Sequence, residues 1–86
     1  MSFDIALHEE ARRTRVEITG HMSLGQLASL MQVLAVDSAT WRHEDVLLDL
    51  GGLQARFAPA EKELLAHVAR SRLRRKTVQL RWPGDD

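Results

Sequence analysis

Asp45-Val-Leu-Leu-Asp-Leu-Gly-Gly-Leu53 decides how the rest of the chain is arranged. Val46, Leu47 and Leu48 follow one another without a polar break, the pattern of a strand buried on both faces and therefore central in its sheet. Gly51 and Gly52 come straight after and permit a sharp turn at the strand's carboxyl end. In open α/β sheets that end is where binding residues gather. The stretch thus points to a location before it points to an activity.

Upstream, Phe3, Ile5 and Leu7 alternate with Asp4, Ala6 and His8, as in a strand with one face against a core. A charged connection at 9–13 leads to a second alternating run, with Val16 and Ile18 on one side and Arg15, Glu17 and Thr19 on the other. The two runs predict a hairpin, and the lack of an Asn-Gly or Asp-Gly pair makes its connection longer than two residues. Gly20 and His21 end the second strand. Ser23 and Gln26 then have the spacing of a capping box, with Met22 and Leu27 placed for the hydrophobic staple that accompanies it. Leu27, Leu30, Met31 and Leu34 fall at i, i+3, i+4 and i+7, one apolar stripe along a helix. Full burial of each is worth about 1.5–3 kcal/mol, so Leu30→Asp is expected to unfold the domain. A polar connector at 37–44, containing Trp41 and His43, delivers the chain to the central strand.

Downstream, residues 53–58 cross to a second helix that holds Pro59 in its first turn, where a missing N–H has no helical partner. Glu61 and Glu63 lie near the positive end of that helix dipole, and Arg70 and Arg72 near the negative end. Leu64, Leu65, Val68 and Leu73 are expected on its buried side. A last strand at 77–82 turns Val78, Leu80 and Trp82 inward and Thr77, Gln79 and Arg81 outward. Pro83, Gly84, Asp85 and Asp86 read as a frayed end. The order ββαβαβ predicts an α/β fold, a single mixed four-stranded sheet with two helices on one face, because right-handed crossovers bring both helices to the same side. The opposite face is then partly exposed or covered by a partner.

The 86 residues suffice for one domain spanning 1–86, with one layer of helices on a sheet and no deep cleft. Apolar residues make up 44 % and charged residues 28 %, proportions of a globular chain rather than a disordered one. Twelve basic and twelve acidic side chains cancel, so no global field gathers nucleic acid or an anionic membrane. The absence of cysteine excludes disulfides, thiolate metal sites and cysteine nucleophiles. Asp4, Glu9 and Glu10 interrupt the N-terminus before a secretory signal can form, and no apolar run is long enough to span a bilayer. A cytoplasmic protein is expected.

Residues 16–20, an Ile-Thr-Gly turn leading into the capped helix at 24–34, and the apolar strand at 46–53 with its Leu-Asp-Leu resemble the STAS superfamily, within it the bacterial SpoIIAA-like and other STAS-like proteins. The agreement of element order extends over most of the chain. The resemblance implies a non-enzymatic regulatory module without a cofactor. Such a module binds protein partners, or in some branches a small ligand, near the loop after the central strand and the start of the next helix. Anti-sigma-factor antagonists carry an Asp-Ser-Ser-Gly-like element there, whose hydroxyl is phosphorylated to switch partners. Residues 51–58 of this chain contain neither serine nor threonine, so that switch does not carry over. Many relatives also continue with another helix after the fourth strand. A chain that stops there leaves an edge that favours self-association, and a homodimer is expected.

The candidate partner-binding residues are therefore Gly51, Gly52, Gln54, Arg56 and Phe57. Arginine beside an aromatic is a composition enriched at binding hot spots, whereas Phe57 could instead plug the core where the helix begins. Arg70, Arg72, Arg74, Arg75 and Lys76 form the one dense basic run, able to contact phosphates of an anionic ligand or nucleic acid. A solvated helix end that complements its dipole explains the same run. With no tyrosine, two Phe and two Trp, the chain is poorly supplied for stacking bases, and nucleic acid is not the expected partner. His8, His21, His43 and His67 are scattered rather than set at metal-ligand spacing. No Gly-x-Ser-x-Gly elbow positions a nucleophile, and Gly51-Gly52 is too short to cradle a phosphate. No catalytic or metal-binding residue is therefore assigned. Trp41 and Trp82 are expected to cover core edges unless exposed at an interface.

Overall fold

The computed structural model describes residues 2–84. Strands β1 (Phe3–Glu9), β2 (Thr14–Gly20), β3 (Asp45–Leu53) and β4 (Thr77–Arg81) form one sheet in that spatial order. Helix α1 (Leu24–Asp37), followed by a 3-10 turn (Ser38–Thr40), joins β2 to β3, and α2 (Pro59–Arg72) joins β3 to β4. β1 is antiparallel to β2, while β2, β3 and β4 are mutually parallel. This is the expected mixed α/β sheet, with β3 hydrogen-bonded along both edges. The tail expected to fray includes Asp85 and Asp86, which lie outside the described residues; Pro83 and Gly84 form a turn.

Local chemistry sets the helix boundaries. The amide of Gln26 donates to Ser23 Oγ at 3.1 Å and the amide of Ser23 donates to Gln26 Oε1 at 2.8 Å, the reciprocal cap anticipated from the spacing. Met22 and Leu27 are both buried. At α2 only half of such a cap exists: Ala58 has no side-chain acceptor, but its amide donates to Glu61 Oε1 at 2.8 Å. Pro59 opens the helix, and Arg70 and Arg72 sit in its last turn.

The core lies between the helices and the three parallel strands. Val16 and Ile18 of β2, Val46, Leu48 and Leu50 of β3 and Val78 of β4 meet Leu27, Met31 and Leu34 of α1 and Leu65 and Ala69 of α2. Trp41 and Leu73 close its amino-terminal end, while Leu80 and Trp82 are partly buried against it. Two expectations about the helices are corrected. Leu30 is only partly buried at the flank of the stripe, so Leu30→Asp falls beside the core rather than in it. Leu64 is 54 % exposed, and Ala69 takes the inward place on α2.

Phe3, Ile5 and Leu7, expected against a core, are 43 %, 41 % and 50 % exposed. They stand opposite Gly20, Ile18 and Val16 and hence share the helix-bearing face. A crossover helix lies over the strands it connects, and β1 enters through a hairpin, which has none.

The glycine pair also behaves differently from expectation. Gly51 and Gly52 do not turn the chain; both lie within β3, and neither has a positive φ. β3 carries one extra residue there: Glu17 pairs with Asp49 but Thr19 with Gly52. Such a bulge crowds the open face. A Cβ on Gly52 would come within 2.6 Å of Thr19 Cγ2, and one on Gly51 within 3.2 Å of Asp49 Oδ1. Glycine is thus required at Gly52, whereas a side chain at Gly51 needs the Asp49 carboxylate to give way.

Candidate functional site

The parallel strands β2, β3 and β4 deliver Gly20, Leu53 and Arg81 to one end of the sheet. The amide of Gln54 donates to the Gly20 carbonyl at 2.8 Å, tying the loop after β3 to the end of β2. Beyond this tie, Gln54 and Arg56 are exposed and Phe57 is half-buried. Phe57 meets Trp82 edge-to-face, with ring centroids 5.9 Å apart and planes at 64°, and Lys62 Nζ lies 5.8 Å from the centroid of the same Trp82 ring. Phe57 therefore anchors the loop on the core edge, and Gln54 and Arg56 are what the loop offers to solvent. Gly51 and Gly52 are exposed on the open face of the sheet, away from the side where Phe57 packs. The five residues expected to form one contact are thus divided between two faces.

Of two adjoining depressions, one touches the loop through Gln54. A small one of about 250 Å³ is bounded by His21, Met22, Ser23, Gln26 and Gln54. It shares Met22, Ser23 and Gln26 with a shallow apolar groove of about 550 Å³, whose walls include Phe3, Leu30 and Val33. Val33 is 57 % exposed. The result is an apolar trough with a polar rim, open along its length. Sequence periodicity missed Phe3, Leu30 and Val33 as surface residues, although hairpin entry of β1 signals that no helix covers it.

The open face carries a charged network. Arg15 reaches Glu10 Oε2 at 3.0 Å, Asp49 Oδ2 at 3.3 Å and Glu17 Oε2 at 3.6 Å, and His8 Nε2 lies 3.2 Å from Glu17 Oε1. Asp49, only 6 % exposed, also accepts from the Gly51 amide at 3.1 Å and faces Arg81 at 3.9 Å. Hydrogen bonds from Arg13 and Arg15 hold the Glu10 carboxyl below its ordinary range, and the bond to Glu10 raises the Arg15 guanidinium further. The Glu9 carboxyl is likewise lowered, first by the Thr14 hydroxyl and then by the Arg42 amide. These contacts tie the hairpin to the connector before β3.

The basic run lies at the other end of the sheet, where β3 and β4 begin. Arg70, Arg72, Arg74 and Arg75 are exposed, whereas Lys76 donates to the carbonyls of His43 at 2.7 Å and Trp41 at 3.4 Å. Arg72, Arg74, Arg75, Lys76 and Glu44 border a depression of about 470 Å³. Ala35, near the carboxyl end of α1, also borders it, and α2 ends beside it, so the partial negative charge of two helix termini already offsets the cations. Among the described residues, no three His, Asp or Glu side chains are grouped to hold a metal ion. No helix among them is long and apolar enough to cross a membrane.

No protein-family model matches the chain, and no curated protein matches it.

Proposed function

We propose that this is a non-catalytic, STAS-like regulatory module of the cytoplasm that binds a protein partner through the loop after β3. The observation that carries the reading is the continuity of that loop with the apolar trough. Gln54 belongs to the depression that shares Met22, Ser23 and Gln26 with the groove bordered by Phe3, Leu30 and Val33. An apolar strip with a polar rim suits a protein surface, and an open trough without an enclosed cavity suits a small substrate poorly. Gln54 and Arg56 supply the rim, while Phe57 holds the loop in place.

The test is capture from the native cytoplasm with immobilised wild type, Gln54→Ala and Arg56→Glu proteins, each checked for folding by circular dichroism. Both substitutions lie on exposed side chains and should leave the fold intact while releasing the captured protein. Identical capture by wild type and both variants would count against the loop. Phe57→Ala is a poor substitute, because it removes the contact with Trp82 and confounds binding with stability.

A second reading is anion binding by Arg70, Arg72, Arg74, Arg75 and Lys76, favoured by the depression that four of them border. Its signature is affinity for phosphate-bearing ligands that falls steeply with salt and is lost in Arg74→Gln/Arg75→Gln. Two helix carboxyl ends and the engagement of Lys76 make it the weaker reading.

A further inference from the structure

We infer that the free edge of β1 is a homodimer interface, at which two copies pair their β1 strands antiparallel about a two-fold axis through Ala6. The interface differs from the loop reading in that neither Gln54 nor Arg56 takes part, although the two surfaces share Phe3 and the flank of α1.

The backbone defines the geometry. The His21 amide donates to the Ser2 carbonyl at 3.0 Å, and the Glu10 amide to the Arg13 carbonyl at 2.9 Å. With the continuous pairing from Phe3↔Gly20 to Glu9↔Thr14, these bonds mean that even-numbered residues of β1 turn their amides and carbonyls toward β2. Phe3, Ile5, Leu7 and Glu9 turn theirs outward. A second β1 can therefore join only in registers that set odd residues opposite odd residues. The register that uses the whole strand sets Ile5 opposite Leu7 of the partner copy and centres on Ala6 opposite Ala6. On the open face it sets Asp4 opposite His8 in both halves.

Cross-strand pairing and strand length select this register over its neighbours. Sliding by two residues one way brings Asp4 opposite Ala6; sliding the other way leaves Asp4 pairing with nothing but the hairpin connection. In the full-length register each Asp4 carboxylate faces the His8 ring of the partner copy, whose Nε2 is on Glu17. On the helix side, the exposed Ile5 and Leu7 rows of both copies meet, and the half-covered flanks of α1 stand on either side. At the ladder's ends Phe3 stands opposite Glu9, whose carboxylate is already engaged by Thr14 and the Arg42 amide.

The other edge is a weaker template. β4 has five residues against seven in β1 and is followed closely by Pro83. β1 carries no proline, lysine or bulge, the devices that guard an edge strand. Pairing through β1 alone is isologous and closes at two copies, joining two four-stranded sheets into one.

The chain contains no cysteine, which permits a register-specific test. Across the two-fold axis Ala6 would form a non-hydrogen-bonded pair with Cα atoms roughly 4.5 Å apart, within the window a disulfide accepts. Ala6→Cys should oxidise in air to a covalent dimer, whereas Gln79→Cys at the middle of β4 should not. By sedimentation equilibrium the wild type should reach twice the 9.7 kDa chain mass. Leu7→Lys should remain folded, since Leu7 is exposed in the protomer, and should raise the dissociation constant by more than about a hundredfold because the site is lost twice per dimer. Arg56→Glu should leave the dimer unchanged, which separates this interface from the loop. A wild type that stays at 9.7 kDa at millimolar concentration, a dimer that survives Leu7→Lys, or cross-linking at position 79 in place of 6 would each overturn the proposal.

Discussion

Gly20→Ala and Gly25→Ala should change stability in opposite directions, and the contrast tests how the end of the sheet is built. Gly20 has φ +96°, and a Cβ there would stand 2.5 Å from the Ser2 carbonyl oxygen and 2.9 Å from Phe3 Cα. Both obstacles are backbone, so the start of β1 must move away, taking with it the 3.0 Å bond from the His21 amide to Ser2. Left-handed strain of about 1–3 kcal/mol and the loss of a hydrogen bond worth about 0.5–1.5 kcal/mol give a cost on the order of 2–4 kcal/mol. For a domain of 86 residues, whose total stability is on the order of 4–13 kcal/mol, that is a large fraction. Melting should fall by roughly 10–25 °C. Gly25, in the first turn of α1, has no atom closer than 4.0 Å to its would-be Cβ. Its replacement should stabilise by about 0.5–1 kcal/mol, from the lower entropy of the unfolded chain. Urea unfolding followed by circular dichroism, with the slope m unchanged, reads both values. A Gly20→Ala protein within about 0.5 kcal/mol of wild type would refute the reasoning, because the contacts around Ser2 and Phe3 would then not constrain that position.

Two further outcomes follow from the charged face and the hairpin. Asp49→Ala should destabilise by about 1–3 kcal/mol, since it removes a buried acceptor from Arg15 and the Gly51 amide, whereas Arg81→Ala, at 3.9 Å and half-exposed, should cost less than about 1 kcal/mol; urea midpoints give the order. Glu9 and Glu10 both titrate below the ordinary 4.5 in the folded chain, so the unfolded chain binds more protons in that window. Their contribution is complete above about pH 4.5 and is lost as pH falls through the lowered values; acid titration of a Glu9→Gln/Glu10→Gln protein should show a flatter decline than wild type.

Much of the fold was legible because local signals agreed with one another. The Ser23–Gln26 spacing, Pro59 and the uninterrupted Val46-Leu47-Leu48 run each mark an element through chemistry confined to a few residues, and all appear where the sequence puts them. What failed depended on distant neighbours. Alternation in Phe3, Ile5 and Leu7 names the apolar side of a strand but not whether a helix covers it. Leu30 fits the stripe by periodicity, yet its place beside uncovered β1 leaves it only partly buried. Gly51 and Gly52 carried the usual sign of a turn, and only the position of Thr19 and Asp49 reveals that close approach is the reason for them. At the candidate site, Gln54 and Arg56 were singled out from their position after β3, and the structure leaves both exposed. The trough beside them was not, because it joins residues from β1 and α1 that no single stretch of sequence brings together.

The extra residue that β3 accommodates opposite Ile18 alters the parity of all that follows it. Through Val46, Leu48 and Leu50 the even positions look toward the helices; at Leu53 an odd one does. The orientation of Gln54 and Arg56 is therefore counted from the bulge rather than from the start of the strand. A natural variant one residue longer or shorter at Gly51 would rotate the presented side chains by half a turn, so this position can redirect the loop without altering a single residue within it.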